Sequence, residues 1–459
     1  MMITRLAAAT ALLAAGFAQA QTPLFKFDGA VVELWYTQML DNSLRYDAAA
    51  KPGGQSSYYD GLSSGRFQEN SFAVKRTEMY FSGALSEAIS WNVMFDPNNA
   101  DYNGKTPSSS VASNVLQDAL ITWVPIKGFT IKAGQFKMPT TYEATIVAAK
   151  DIYFFDRNQL NRQFGDKRDR GVWLSYAYGD AKGFQGKVNL AVSNGTTDLT
   201  SSKDTAGAAI QSSNSGKGND TNAQKDWTFR FEGGYGPAHK FGFYYRVGRS
   251  DQQDWQTTYV GTTIPAAWTT AGVTIATIKD NADKTTLEGL YYAYDDASWH
   301  ADVECATGLL GRRFPTLFST TAVTPLREHL DQKFLGYAAT VVYKLGAHWL
   351  AARYDFLNYN SGDKWYTAYN PYTQVAGGGP LLVNGAPVDY TPKYSEITLG
   401  YNYLFAPTKQ SQGKLKLDYI IRSKNFLVPG TGAGTTGNVL NQHGEQGGNS
   451  LVASLEVGF

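Results

Sequence analysis

Residues 413–424 read GKLKLDYIIRSK. Leu415, Leu417, Tyr419 and Ile421 alternate with Lys414, Lys416, Asp418 and Arg422, giving the segment one apolar and one charged face. Strand side chains point to opposite faces in turn, so a period of two predicts a β-strand between two different environments. The pattern recurs. Trp227, Phe229, Phe231 and Tyr235 alternate with Asp226, Thr228, Arg230 and Glu232. Phe184, Val188, Leu190 and Val192 alternate with Gln185, Lys187, Asn189 and Ser193. No long stretch has the three-and-four spacing of an amphipathic helix.

Sixteen such segments lie near 27–38, 72–83, 88–97, 114–124, 128–137, 170–179, 184–195, 226–235, 240–250, 284–295, 297–308, 333–345, 347–358, 393–405, 413–424 and 449–459. Their connections alternate strictly between long and short. A long polar loop follows the first segment, and others run near 98–113, 138–169, 196–225, 251–283, 309–332, 359–392 and 425–448. Short turns fall at 84–87, 125–127, 180–183, 236–239, 297, 346 and 406–412. A soluble sandwich has no reason to put every long connection at one end. An outer-membrane barrel does, with short periplasmic turns, long extracellular loops and strands of about 9–11 residues. The expected fold is therefore all-β: a transmembrane antiparallel β-barrel with its apolar face in outer-membrane lipid and its polar face lining a wet lumen.

Composition agrees. Only 18% of the 459 residues are charged, against roughly 25% in soluble domains. Aromatics make up 14%, enough to supply girdles at two membrane interfaces. A single cysteine excludes an intrachain disulfide scaffold. Residues 1–20 read MMITRLAAATALLAAGFAQA, with Arg5 ahead of an apolar stretch and Ala18-Gln19-Ala20 at the end, the form of a cleaved signal peptide. Its apolar stretch is shorter than the ~20 residues that span a bilayer. Arg5 is the only charge in that segment, so its removal leaves 41 − 1 = 40 basic against 40 acidic residues. A neutral mature chain, 21–459, gives no support for a nucleic-acid partner. Export to the outer membrane of a Gram-negative-type bacterium is expected.

The loop near 138–169 differs from the others, which are rich in Ser, Gly, Thr and Asn. It contains an apolar stretch at 144–155, the mark of a loop that folds back into the barrel. From 150 to 170 it carries six basic residues, including Arg157, Arg162, Lys167, Arg168 and Arg170, against four acidic ones, Asp151, Asp156, Asp166 and Asp169. Guanidinium groups at a narrow point attract anions and bind them in bidentate fashion. Paired with those aspartates, the same groups pin the loop to the wall. Both readings stand at this level. The lumen-facing candidates are mixed: Arg76, Lys132, Lys187, Arg230, Arg246, Arg353, Lys414, Lys416 and Arg422 against Glu33, Glu78, Asp118, Glu232, Glu288, Asp302, Glu304, Asp355, Glu396 and Asp418. Many can form cross-strand pairs that brace the wall.

The stretch Ile131-Lys132-Ala133-Gly134-Gln135-Phe136-Lys137-Met138-Pro139, then Glu143, Phe155-Asp156-Arg157 and Arg168-Asp169-Arg170-Gly171-Val172, resembles the phosphate-selective porin O and P family. Lys75-Arg76, Glu304, Arg353-Tyr354-Asp355 and Leu399-Gly400-Tyr401-Asn402-Tyr403 are similar to it too. A final strand ending in Phe459 also resembles the assembly signal of outer-membrane barrels. The resemblance implies a homotrimeric, sixteen-stranded porin passing small anions such as phosphate through a basic constriction. Arg157, Arg162, Lys167, Arg168, Arg170, Arg76 and Lys132 are the candidates for it. The mixed lumen points to a modest preference, close to that of a general porin.

Other functions find little in the chain. None of the five His lies in an H-x-x-H or H-E-x-x-H arrangement, so neither a metal nor a cofactor is expected. Residues 432–437 match G-x-G-x-x-G, but no helix pattern follows, and a nucleotide site needs that helix N-terminus. Cys305 shares the apolar face with Trp299, Ala301 and Val303 and reads as a small hydrophobe. An outer-membrane enzyme would need Ser, His and a carboxylate gathered in space. A sheath for a trans-envelope complex would need an open lumen with no folded-in loop.

Overall fold

The computed structural model describes residues 24–40, 71–97, 115–180, 182–195, 225–249, 284–310, 332–358, 361–362, 382–383, 386–387, 391, 393–406, 413–423, 428–429, 442–443 and 449–458. The signal segment, the glycine-rich motif at 432–437, Phe459 and nearly all of the long connections other than the third lie outside them. Sixteen strands form one closed antiparallel barrel in chain order. They are β1 (Lys26–Met39), β2 (Ser71–Ala84), β3 (Ile89–Phe95), β4 (Leu116–Ile126), β5 (Phe129–Lys137), β6 (Arg168–Gly179), β7 (Phe184–Ser193) and β8 (Asp226–Tyr235). Then come β9 (His239–Arg249), β10 (Lys284–Asp295), β11 (Trp299–Leu310), β12 (Gln332–Leu345), β13 (His348–Asn358), β14 (Lys393–Leu404), β15 (Lys414–Arg422) and β16 (Ser450–Gly458). β16 pairs with β1 and closes the ring.

The outer face of the strands is largely apolar and exposed, and many of their charged residues are buried on the inner face. On β15, Leu417, Tyr419 and Ile421 are exposed while Lys416 and Asp418 are fully covered. Exposed Leu190, Trp227, Phe229, Leu350 and Leu455 continue the outer belt on other strands. This inversion holds a folded barrel in lipid, where every backbone group must find its partner along the sheet. Aromatic residues gather near the short turns: Trp299 lies 4.7 Å from Tyr343, and His348 contacts Tyr401 and Tyr403.

Two inward assignments differ from the sequence reading. β6 starts at Arg168, so the third connection runs 138–167 and both Arg168 and Arg170 are strand residues. Arg170 shares the parity of Val172 and Tyr176, which are exposed on the outer face, and its Nε donates to Gln135 Oε1. Glu288 falls on the outer face with Leu290 and Tyr292. On β10 both faces are apolar, because Leu287 and Tyr291 are buried inside, and alternation alone does not tell the faces apart.

Candidate functional site

Loop 138–167 leaves β5 at the long-loop end and lies against the inner wall. It makes a helical turn at Tyr142–Thr145, a 3-10 turn at Ala149–Asp151 and a π-type turn at Asn161–Gly165. Ala144 N–H donates to Asn161 Oδ1, and Asn158 N–H donates to Glu143 Oε2, tying its two limbs together.

Its apolar side chains find inward apolar partners. Tyr142 stacks on Tyr291 at 4.9 Å and Phe164 on Phe334 at 3.6 Å. Phe154 packs with Val342, Trp349, Ala351 and Leu404, next to the short turns. Tyr153 lies 4.7 Å from His300, also beside a short turn. The loop thus reaches from one end of the barrel nearly to the other. Burying each such ring stabilises the arrangement by about 1.5–3 kcal/mol. Glycines make room beneath it. A Cβ at Gly400 would stand 3.1 Å from the Phe154 ring, and one at Gly336 would stand 3.0 Å from Leu160 Cδ1.

A buried loop must also satisfy its backbone polar groups. Here wall charges do so. Glu304 Oε1 accepts Tyr142 N–H at 2.7 Å, and Asp418 Oδ2 accepts Phe155 N–H at 2.5 Å. Arg353 donates to the Asp156 carbonyl at 2.8 Å and Arg230 to the Thr140 carbonyl. Lys414 Nζ donates to the carbonyls of Lys150 and Ile152 at 2.7 and 2.9 Å. By sequence alone these residues are a mixed lumen lining. Their loop partners are too distant in the chain to be read off.

The loop's own charges are paired as well. Asp156 meets Lys75 at 3.2 Å, Arg76 at 3.4 Å and Arg162 at 3.5 Å. Asp166 meets Lys137 at 2.7 Å and Arg157 at 3.4 Å. Arg168 sits 2.8 Å from Asp118. Burial raises the pKa of Asp156, but Lys75, Arg162 and Arg76 outweigh it and hold the carboxyl well below the usual range. Asp166 is lowered in the same way, with Lys137 and Arg157 outweighing burial. At Glu143 burial wins over Arg353 and Arg157, and the pKa is raised. Of the candidate cations, Arg157, Arg162, Arg168 and Arg76 therefore stand in one network that joins loop to wall. Lys167 lies at its edge, next to β6, and is half-buried.

Lys132 lies elsewhere. Its Nζ sits over the Trp173 ring at 4.6 Å, and Lys187 Nζ sits 5.6 Å from the same ring. Trp173 is fixed by a 3.0 Å bond from Nε1 to Asn189 Oδ1. Among the described residues Lys132 has no carboxylate within 4.0 Å. Lys187 has Glu232 at 4.0 Å, itself held by Arg230 at 3.3 Å. The Asp118–Arg168 and Glu232–Arg230 pairs cancel, and Asp169, buried on the inner face of β6, offsets one of the two remaining ammonium groups, which leaves one positive charge in surplus on this side of the lumen. Toward the short turns a cavity of about 810 Å3 opens between the loop and the wall, with Lys127, Lys187 and Lys240 but only Glu232 among its charged lining. Among the described residues no group of His, Cys, Asp and Glu is placed to hold a metal.

The chain is similar in fold to solved porins, at 9–11% identity. The outer membrane protein OmpT of Vibrio cholerae, in its trimer form, matches with TM-score 0.47 at 10% identity, over 95% of this chain and 99% of its own. An anion-selective porin from Comamonas acidovorans matches with TM-score 0.45 at 11% identity, over 95% of this chain and 99% of its own. OprB of Pseudomonas putida matches with TM-score 0.45 at 9% identity, over 98% and 96%. No curated protein sequence matches. The description phosphate-selective porin O and P fits residues 50–425, most of the chain. With its closed sixteen-stranded barrel, the chain belongs to the phosphate-selective porin O and P family.

Proposed function

We propose that this outer-membrane porin passes small hydrophilic solutes by passive diffusion, with a modest preference for anions of the phosphate type that Lys132 and Lys187 impose. The observation that carries the reading is the surplus of positive charge beside Trp173. Arg157, Arg162, Arg168 and Arg76 act on the path indirectly, by keeping the loop docked. Low-dielectric walls at a narrow point strengthen each unpaired charge relative to bulk water. The long connections lie outside the cell and the short turns in the periplasm. Export by residues 1–20 and assembly as a homotrimer belong to the same reading, supported by the Arg5 and Ala18-Gln19-Ala20 pattern and by the family.

The test is the reversal potential across a planar bilayer under a KCl gradient, repeated with phosphate. Lys132→Gln combined with Lys187→Gln should abolish the anion preference with the barrel intact. A wild-type reversal potential in that variant, with a shifted one in Arg157→Gln plus Arg162→Gln, would move the selectivity to the loop arginines and overturn the assignment.

A further inference from the structure

The barrel closes where β1 pairs with β16, from Val31 opposite Gly458 to Met39 opposite Ser450. These pairs have the greatest sequence separation in the sheet, so closing them carries the largest chain-entropy cost.

Loop stretch 150–156 lies across this seam through Phe155, Asp156 and the carbonyls of Lys150 and Ile152, while Tyr153 and Phe154 turn the other way onto β11–β14. The Phe155 ring meets Trp35 of β1 edge-on at 5.0 Å and packs against Ile420 of β15 and Val452 of β16. Phe155 N–H is held by Asp418 of β15. Lys414 of β15, which holds two loop carbonyls, also lies 3.4 Å from Glu456 of β16. On the far side Asp156 meets Lys75 and Arg76 of β2. A line of alternating charge runs beneath: Arg76 to Glu33 of β1 at 2.5 Å, and Glu33 to Lys416 of β15 at 2.7 Å. Ser454 of β16 donates to the same Glu33 carboxylate at 2.8 Å.

We propose that residues 150–156 form an internal strap that holds the β1–β16 seam shut and docks only once the barrel has closed. Before closure the surface that receives Phe155 and Asp156 is incomplete, because its parts belong to both ends of the chain. Trp35 and Lys75 come with the first strands, and Ile420, Val452 and Asp418 with the last. The rest of the loop differs. Tyr142 and Phe164 rest on Tyr291 of β10 and Phe334 of β12, strands that need no seam to be in place.

Two substitutions of like size separate the strap from general loop packing: Phe155→Ala at the seam and Phe164→Ala away from it. The readout is amide hydrogen exchange by mass spectrometry on the full folded chain in detergent. Phe155→Ala should speed exchange at least tenfold in residues 31–39 and 451–458 and leave 334–345 near wild type. Phe164→Ala should leave the seam strands unchanged. If Phe155→Ala kept wild-type seam protection, or Phe164→Ala opened the seam equally, the strap would be refuted. Should Phe155→Ala not fold, Phe155→Leu takes its place, with the same expected direction and the same refuting results.

Discussion

The inner wall has two sides that share a strand pattern and differ in what their charges do. From β8 through β16 to β2, inward charges are spent on the loop: Arg230, Glu304, Arg353, Lys414 and Asp418 all bond to its backbone. Around β5 to β7, Lys132 and Lys187 flank Trp173 without bonding to the loop backbone, although Met138 of the loop packs on the same ring. A charge facing a lumen is thus a statement about permeation only where nothing covers it. Net lumen charge counted from sequence mixes the two kinds.

Breaking a charge on the covered side should have the largest effect. Arg353 is fully buried, 3.0 Å from Asp355 and 3.7 Å from Glu396, and holds the Asp156 carbonyl. Arg353→Met leaves the buried Asp355 carboxylate without its ion-pair partner, while Glu396 keeps Arg422 at 3.3 Å, and should cost about 3–5 kcal/mol in urea unfolding. Next comes a substitution that ignores the two sides. Leu417→Arg and Leu190→Arg lie on the outer face of the covered and open sides and should each cost about 2–4 kcal/mol near the membrane midplane. Unequal costs would show that the loop reinforces one flank of the barrel through the sheet.

Acid supplies a smaller effect, confined to the covered side. Asp156 has a depressed pKa, so it contributes stability above its unfolded pKa and loses it as pH falls through the folded value. The melting-temperature gap between wild type and Asp156→Asn should hold steady above about pH 4 and shrink only below it. The open side should respond least in stability and most in selectivity. Lys132→Gln should change stability by about 0.5 kcal/mol or less while lowering anion preference. High salt should mute that preference in the wild type, since the Debye length falls to about 3 Å at 1 M.

The strands were legible because lipid and water impose opposite demands on alternate residues. The segment read at 226–235 is β8 to the residue, and 449–459 differs from β16 by one at each end. Alternation failed where the loop covers the wall. There Leu287, Tyr244, Tyr291, Phe334 and Tyr394 face inward and are apolar, so the rule of a polar lumen face breaks down. Arg170 could have been placed correctly, because its own strand carries Val172 and Tyr176 in step with it. The apolar stretch 144–155 was visible in the sequence. Its partners were not, since Phe155 and Asp418 are 263 residues apart and no local pattern links them.

Gly336 and Gly400 have a consequence for how this barrel changes over time. Each is a dent in the wall beneath a loop side chain, Leu160 or Phe154, and each also borders a wall side chain, Leu357 or Asp418. A methyl group at Gly400 would press on the Phe154 ring and also on Asp418 Oδ1 at 2.8 Å, so a smaller residue at 154 relieves part of the crowding and leaves a hollow that the methyl group would partly fill. Neither change is neutral alone, so the two sites are energetically coupled. Among relatives that keep the folded-in loop, Gly at the position of 400 should travel with Phe at the position of 154, and the double substitution Phe154→Leu with Gly400→Ala should cost less than the sum of the two single changes.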